Sequence, residues 1–205
     1  MLAPNRAGAF GPKPSVPFLF AVNMENLEMK NYIEQAVQTE SDQFNGGLVG
    51  ILTMLEALKT AIAALEQLDR IKKALFYGKE TLVPLRGSIE HPLYATGAAD
   101  QQGVRIMHGI LGKATESGEL LEIAVALLDP NNTIDLTNLW EEIGDGFWYD
   151  AILCDATGVT FEQIQETNIA KLRKRFPNRF TAFDAQNRDL TAERAVLESG
   201  IADEM

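Results

Sequence analysis

Glu116 and Glu119 stand three residues apart in KATESGELLEIAVALL, and Glu142 and Asp145 repeat that spacing in NLWEEIGDGFWYDAIL. On a helix, residues three apart share a face, so each pair projects two carboxylates in one direction. Antiparallel packing of the two helices across the turn at 129–133 would bring all four together. Clustered carboxylates raise one another's pKa and cannot all stay ionised without a counter-charge. A hard divalent cation with oxygen ligands resolves that conflict, and Mg²⁺ is the first choice. The spacing by itself should arise roughly once by chance in so acidic a chain. Its setting says more. Leu139, Trp140, Ile143, Phe147, Trp148, Ile152 and Leu153 surround Glu142 and Asp145, and acids among apolar residues need partners. Gly109 and Gly112 fall on the helix face of Glu116 and are expected to leave room there for a ligand. The competing reading makes these acids ordinary helix-surface charges.

A second constellation is basic. Lys171, Arg173, Lys174, Arg175 and Arg179 fall within KLRKRFPNR. Positive charge at a helix C-terminus is favoured by the macrodipole and needs no further purpose. The functional reading puts Asn168, Lys171 and Arg175 on one face, where Lys and Arg suit the oxygens of a polyphosphate. A nucleic-acid patch of this size would be small and isolated.

These residues need helices to hold them. The spacing predicts helices over 26–44, Leu48–Tyr77, Val104–Leu128, Leu136–Thr157, Phe161–Arg175 and Asn187–Ser199, with no strands. In the second of these, Ile51, Leu55, Leu58, Ile62, Leu65, Leu68, Ile71 and Leu75 form an apolar seam. The seam must be buried in its own bundle or on another subunit. Gly78 and Gly158 are placed as helix stops, Asp135 as an N-cap, and Thr160 with Gln163 as a capping box. Residues 1–23 hold four prolines and read as an extended arm preceding an all-α domain over 24–205. Residues 79–103 read as a long irregular connection.

Composition narrows the function classes. The 205 residues carry 29 acidic and 18 basic side chains, a formal charge of -11, which argues against coating nucleic acid or an anionic membrane. Ordinary hydrophobic content, 46%, excludes wholesale disorder. The single cysteine, Cys154, excludes an intramolecular disulfide framework, fits a reducing cytoplasm and reads as a small buried hydrophobe. The residues three before His91 and His108 are Ser88 and Arg105, so the Glu-x-x-His pairs of a di-iron bundle are missing.

The acid pattern, together with Asn168-x-x-Lys171 and Arg175, resembles the MazG-like all-α nucleoside triphosphate pyrophosphohydrolases. That family's signature is E-x-x-E, a spacer, then E-x-x-D, and here 22 residues separate Glu119 from Glu142. EEIGDGFWYDAILCDATGV and NIAKLRKRFPNRF extend the likeness, which covers about half the chain (31–43 and 104–198) and is strongest to short bacterial and phage versions. Thr115 departs from it, standing where many members have another glutamate, and 48–103 looks like an insertion of a long helix plus a loop.

The resemblance implies a four-helix-bundle-like core and hydrolysis of an NTP or dNTP to the monophosphate and pyrophosphate. It implies Mg²⁺ ions, replaceable by Mn²⁺, on Glu116, Glu119, Glu142 and Asp145, with Lys171 and Arg175 on the outer phosphates and Asn168 assisting. It further implies a homodimer or homotetramer in the cytoplasm of a bacterial or phage-infected cell, with no membrane partner and none expected among nucleic acids. Trp140, Trp148 and Tyr149 could stack on a base or belong to the core, and Tyr32, Gln35 and Thr39 on the first helix are further places to look for base contacts. The rival class is a non-catalytic helical assembly or regulatory protein with structural acids.

Overall fold

The computed structural model describes residues 32–41, 43–80 and 100–202. The proposed arm at 1–23, His91 and most of the connection over 79–103 lie outside them. Among the described residues every regular element is helical. Helix α1 covers 32–37, and a short 3₁₀ turn follows at Gly46–Leu48. Then come α2 (Ile51–Tyr77), α3 (Gln102–Leu127), α4 (Leu136–Thr157), α5 (Phe161–Arg175), α6 (Ala182–Gln186) and α7 (Leu190–Ala202). None of the described helices is long and apolar enough to cross a membrane.

The punctuation has visible causes. Gly78 adopts a left-handed φ of 63° and its N–H donates to Lys73 O, ending α2. Gly158, at φ 73°, ends α4 in the same way. Asp135 accepts from the N–H groups of Thr137 (2.9 Å) and Asn138 (3.2 Å). Thr160 and Gln163 form a reciprocal capping box, the Thr160 N–H donating to Gln163 Oε1 at 2.7 Å and the Gln163 N–H to Thr160 Oγ1 at 3.2 Å.

Two boundaries differ from the sequence reading. The first helix was expected to reach residue 44, yet regular helix ends at 37. Thr39 Oγ1 donates to Ala36 O at 2.7 Å and Ser41 bonds to Gln43, side-chain bonds that compete with helix continuation. The final helix, expected at Asn187–Ser199, runs instead over Leu190–Ala202, and a short helix that the sequence reading missed precedes it at Ala182–Gln186. Thr181 caps the short α6, and Asp189 accepts from the Ala192 N–H at 2.9 Å to begin α7.

Helix α3 is central, packing on α2 along one side and α4 along the other, while α5 packs mainly with α7. The α2 seam is half-buried from Leu55 to Ile71, but Ile51 and Leu75 at its ends are exposed. Near α1, the Phe180 N–H donates to Gln38 O and Arg173 bonds Gln35, tying α1 to the end of α5. Close approach of α3 and α4 needs glycine. A Cβ on Gly112 would lie 2.0 Å from the Tyr149 ring, and one on Gly109 would lie 2.6 Å from the Leu153 side chain. The expectation that these glycines leave room for a ligand is therefore corrected: Tyr149 and Leu153 fill that room.

Helix α4 presents two distinct faces. One carries Glu142, Gly146 and Tyr149 into contact with α3; the other leaves Leu136, Trp140, Ile143 and Phe147 exposed, with Trp140 at 61% and Phe147 at 55%. Steps of four, three and four make the exposed set one stripe along the helix.

Candidate metal centre

Glu116 and Glu119 from α3 meet Glu142 from α4, each offering a carboxylate oxygen within 4.8 Å of the others. Glu116 and Glu142 are buried, Glu142 at 4% exposure, while Glu119 opens to solvent. Asp145 is exposed and is not part of this trio, although its charge is felt at Glu142. Burial first, then the charges of Glu119 and Glu116, a hydrogen bond with Glu119 and the charge of Asp145, push the Glu142 carboxyl up to about 7. The oxygen-only donor set and its crowded charge fit a hard cation.

The sequence reading did not single out Lys72. It sits at 3% exposure on the face of α2 that meets α3. Its Nζ donates to Thr115 Oγ1 at 2.8 Å, Tyr149 OH at 3.1 Å and Glu116 Oε1 at 3.3 Å, and lies 3.2 Å from Asp69 Oδ1. Thr115 Oγ1 in turn donates to Gly112 O at 2.8 Å. Burial alone would lower the Lys72 pKa, but bonds to Tyr149 and Asp69 and the charge of Glu116 raise it above its ordinary value. Lys72 is therefore an ammonium. Asp69 also pairs with Lys73, and its carboxyl lies below the usual range: burial raises it, and the two lysines more than offset that.

Beyond Tyr149 the network becomes aromatic. Tyr77 OH lies 3.3 Å from Tyr149 OH and 3.5 Å from His108 Nε2. His108 stacks on Phe76 with ring centroids 4.0 Å apart and meets Trp148 and Tyr149 edge-on. Burial, then the Lys72 charge, lower its pKa. Of the three aromatic candidates for base stacking, Tyr149 is a buried core residue bonded to Lys72, whereas Trp140 and Trp148 are exposed. Cys154 is buried, as expected, and burial raises its thiol pKa.

The basic residues lie on a separate helix pair. Arg175 donates from Nε to Glu193 Oε1 at 2.9 Å and from Nη2 to Oε2. Arg188 shares that carboxylate, and the two arginines hold Glu193 down to about 2. Asn168 and Lys171 are half-buried on α5. Tyr32 and Gln35 line a cavity of about 450 Å³ between α1 and α5, with Glu162, Gln165, Glu166, Ile169, Ala170 and Arg173; Thr39 borders a neighbouring hollow of about 110 Å³.

No protein-family model matches the chain, and no curated protein or solved structure matches it significantly.

Proposed function

We propose that the chain hydrolyses a nucleoside or deoxynucleoside triphosphate to the monophosphate and pyrophosphate, with Mg²⁺ as the cofactor and Mn²⁺ able to replace it. The observation that carries this reading is the convergence of Glu116, Glu119 and Glu142 from two facing helices. The reaction itself comes from the likeness of these segments to the MazG-like enzymes. When bound, the ion would polarise the phosphate and lower the pKa of the attacking water.

The chain's own residues divide the remaining tasks. Glu116 and Glu142, fixed by burial, set where a cation sits, and solvent-facing Glu119 leaves an open side for substrate. Asp145 stands at the rim, adding negative charge that draws the cation or an incoming metal–phosphate complex. Lys171, with Asn168, engages the outer phosphates. Arg175 is committed to Glu193, so it serves them by fixing α5 on α7 unless substrate displaces the carboxylate. The cleft between α1 and α5 is the proposed place for base recognition. A homodimer or homotetramer covers the exposed stripe of α4 and the exposed start of α2, and the enzyme works on the cytoplasmic nucleotide pool of a bacterial or phage-infected cell.

Incubation with individual NTPs and dNTPs plus Mg²⁺ tests the reading. Pyrophosphate and a monophosphate are expected, with near-complete loss in Glu116→Gln. Orthophosphate release or no turnover with any nucleotide would reject it, and unchanged behaviour of Glu116→Gln would favour structural acids.

A further inference from the structure

Among the described residues, the carboxylate trio has one buried positive neighbour within hydrogen-bonding distance, the ammonium of Lys72. A lysine on a helix surface ordinarily extends its charged end into water. Lys72 instead turns inward, where Thr115, Glu116, Tyr149 and Asp69 surround its nitrogen on every side the structure gives it. Four acceptors for three N–H donors leave the ammonium no free proton to offer a phosphate. Its position is also fixed from three helices at once: Asp69 on α2, Thr115 and Glu116 on α3, and Tyr149 on α4. The charge is held in place and faces one side of Glu116.

We infer that Lys72 is the built-in counter-cation of the carboxylate site, filling the Thr115 side of Glu116 so that the cluster accepts one divalent ion and not two. The inference rests on the metal reading proposed above and concerns how many ions that site takes. Paired ions in two-metal sites stand about 3.5–4 Å apart and share carboxylates between them. A second ion bridging from Glu116 would have to approach the side on which Lys72 Nζ already lies 3.3 Å from Oε1. An ammonium that close to the shared carboxylate repels a second divalent cation strongly in a buried setting. Thr115 adds to the effect, because its hydroxyl oxygen is engaged by Lys72 and its proton by Gly112 O, and Asp69, the carboxylate on that flank, is already paired with Lys72 and Lys73. The oxygens that Glu119 and Glu142 bring to Glu116 are left for the single ion. In this role Lys72 is a positioning residue: it orients Glu116 and sets the charge of the site without touching the substrate.

Counting bound Mn²⁺ on the full-length protein decides the matter, by equilibrium dialysis combined with electron paramagnetic resonance. The wild type is expected to bind one Mn²⁺ per chain, with no spin-coupled pair in its spectrum. Lys72→Met is expected to bind two, with spin coupling, and Lys72→Arg, which retains the charge, to stay at one. Two coupled ions in the wild type, or a single ion in a folded Lys72→Met, would overturn the inference. No Mn²⁺ binding by the wild type would instead remove the metal reading beneath it. Should Lys72→Met fail to fold, the wild-type count and spectrum still decide.

Discussion

Lys72 Nζ donates to Thr115 Oγ1 at 2.8 Å, joining α2 to α3 between residues 43 positions apart in the chain. Through that bond a helix that looked like an insertion reaches the acid cluster. Its last turns place a cation against Glu116, and Leu65 packs where a Cβ on Gly118 would come within 3.0 Å. The long helix and the candidate site are thus parts of one packed unit.

Glu142 carries the tension of the site. Its carboxyl is ordinary in the unfolded chain, near 4.5, and pushed up to about 7 in the fold, so ionisation increasingly costs the native state as pH rises between those values. Glu142→Gln removes that cost. The variant is expected to be more stable than the wild type without metal, by roughly 1–2 kcal/mol above neutral pH and by nothing below the unfolded value. It should also lose turnover. Denaturant unfolding at several pH values in chelator, beside an activity assay, checks both halves.

Gly112 tests the packing of α3 on α4. A Cβ there would meet the Tyr149 ring at 2.0 Å, and that ring is held by its bond to Lys72. Gly112→Ala should lower stability by about 1–3 kcal/mol through overpacking, or more if Tyr149 cannot shift. Thermal unfolding reads this directly, and an unchanged midpoint would contradict the close approach of these helices.

These two sites also show what was legible in advance. Caps such as Asp135, the Thr160–Gln163 box and the stops at Gly78 and Gly158 are local, so their residue types reveal them. The matched spacing of Glu116, Glu119 and Glu142 was legible for the same reason: three of the four expected acids converge, because one helical repeat and one antiparallel turn suffice to place them. Lys72 was not legible. It follows Ile71 and precedes Lys73, and in a charged amphipathic helix it looks like any solvated lysine until Thr115 and Tyr149 are seen beside it. Gly109 and Gly112 announced a small face, but spacing could not say that Tyr149 and Leu153 would fill it. Nor did the basic run disclose that Arg175 is bound to Glu193, a partner on α7 beyond the intervening α6.

Glu193 controls the docking of α7 on α5. Arg175 and Arg188 hold its carboxyl down to about 2, against 4.5 when unfolded. The stabilisation is fully present above the unfolded value and fades as pH falls toward the folded one. Glu193→Gln should cost roughly 2 kcal/mol at neutral pH and almost nothing near pH 2, so wild-type and variant stabilities converge in acid. Circular dichroism melts across an acid series follow that convergence; a constant gap would place the effect elsewhere.

The exposed stripe of Leu136, Trp140, Ile143 and Phe147 calls for a covering surface. If copies of the chain supply it, Trp140→Glu combined with Phe147→Glu should reduce the mass measured by light scattering to that of one chain. A monomeric wild type, or an unchanged mass in the double variant, would refute this assignment.

The central claim is that water attacks the α-phosphorus of a nucleoside triphosphate at the carboxylate trio. Turnover in water enriched with heavy oxygen, followed by mass spectrometry of the products, tests it most directly. The account predicts a single heavy oxygen in the nucleoside monophosphate and none in the pyrophosphate. Label in pyrophosphate or orthophosphate, or no labelled product with any nucleotide, would contradict it.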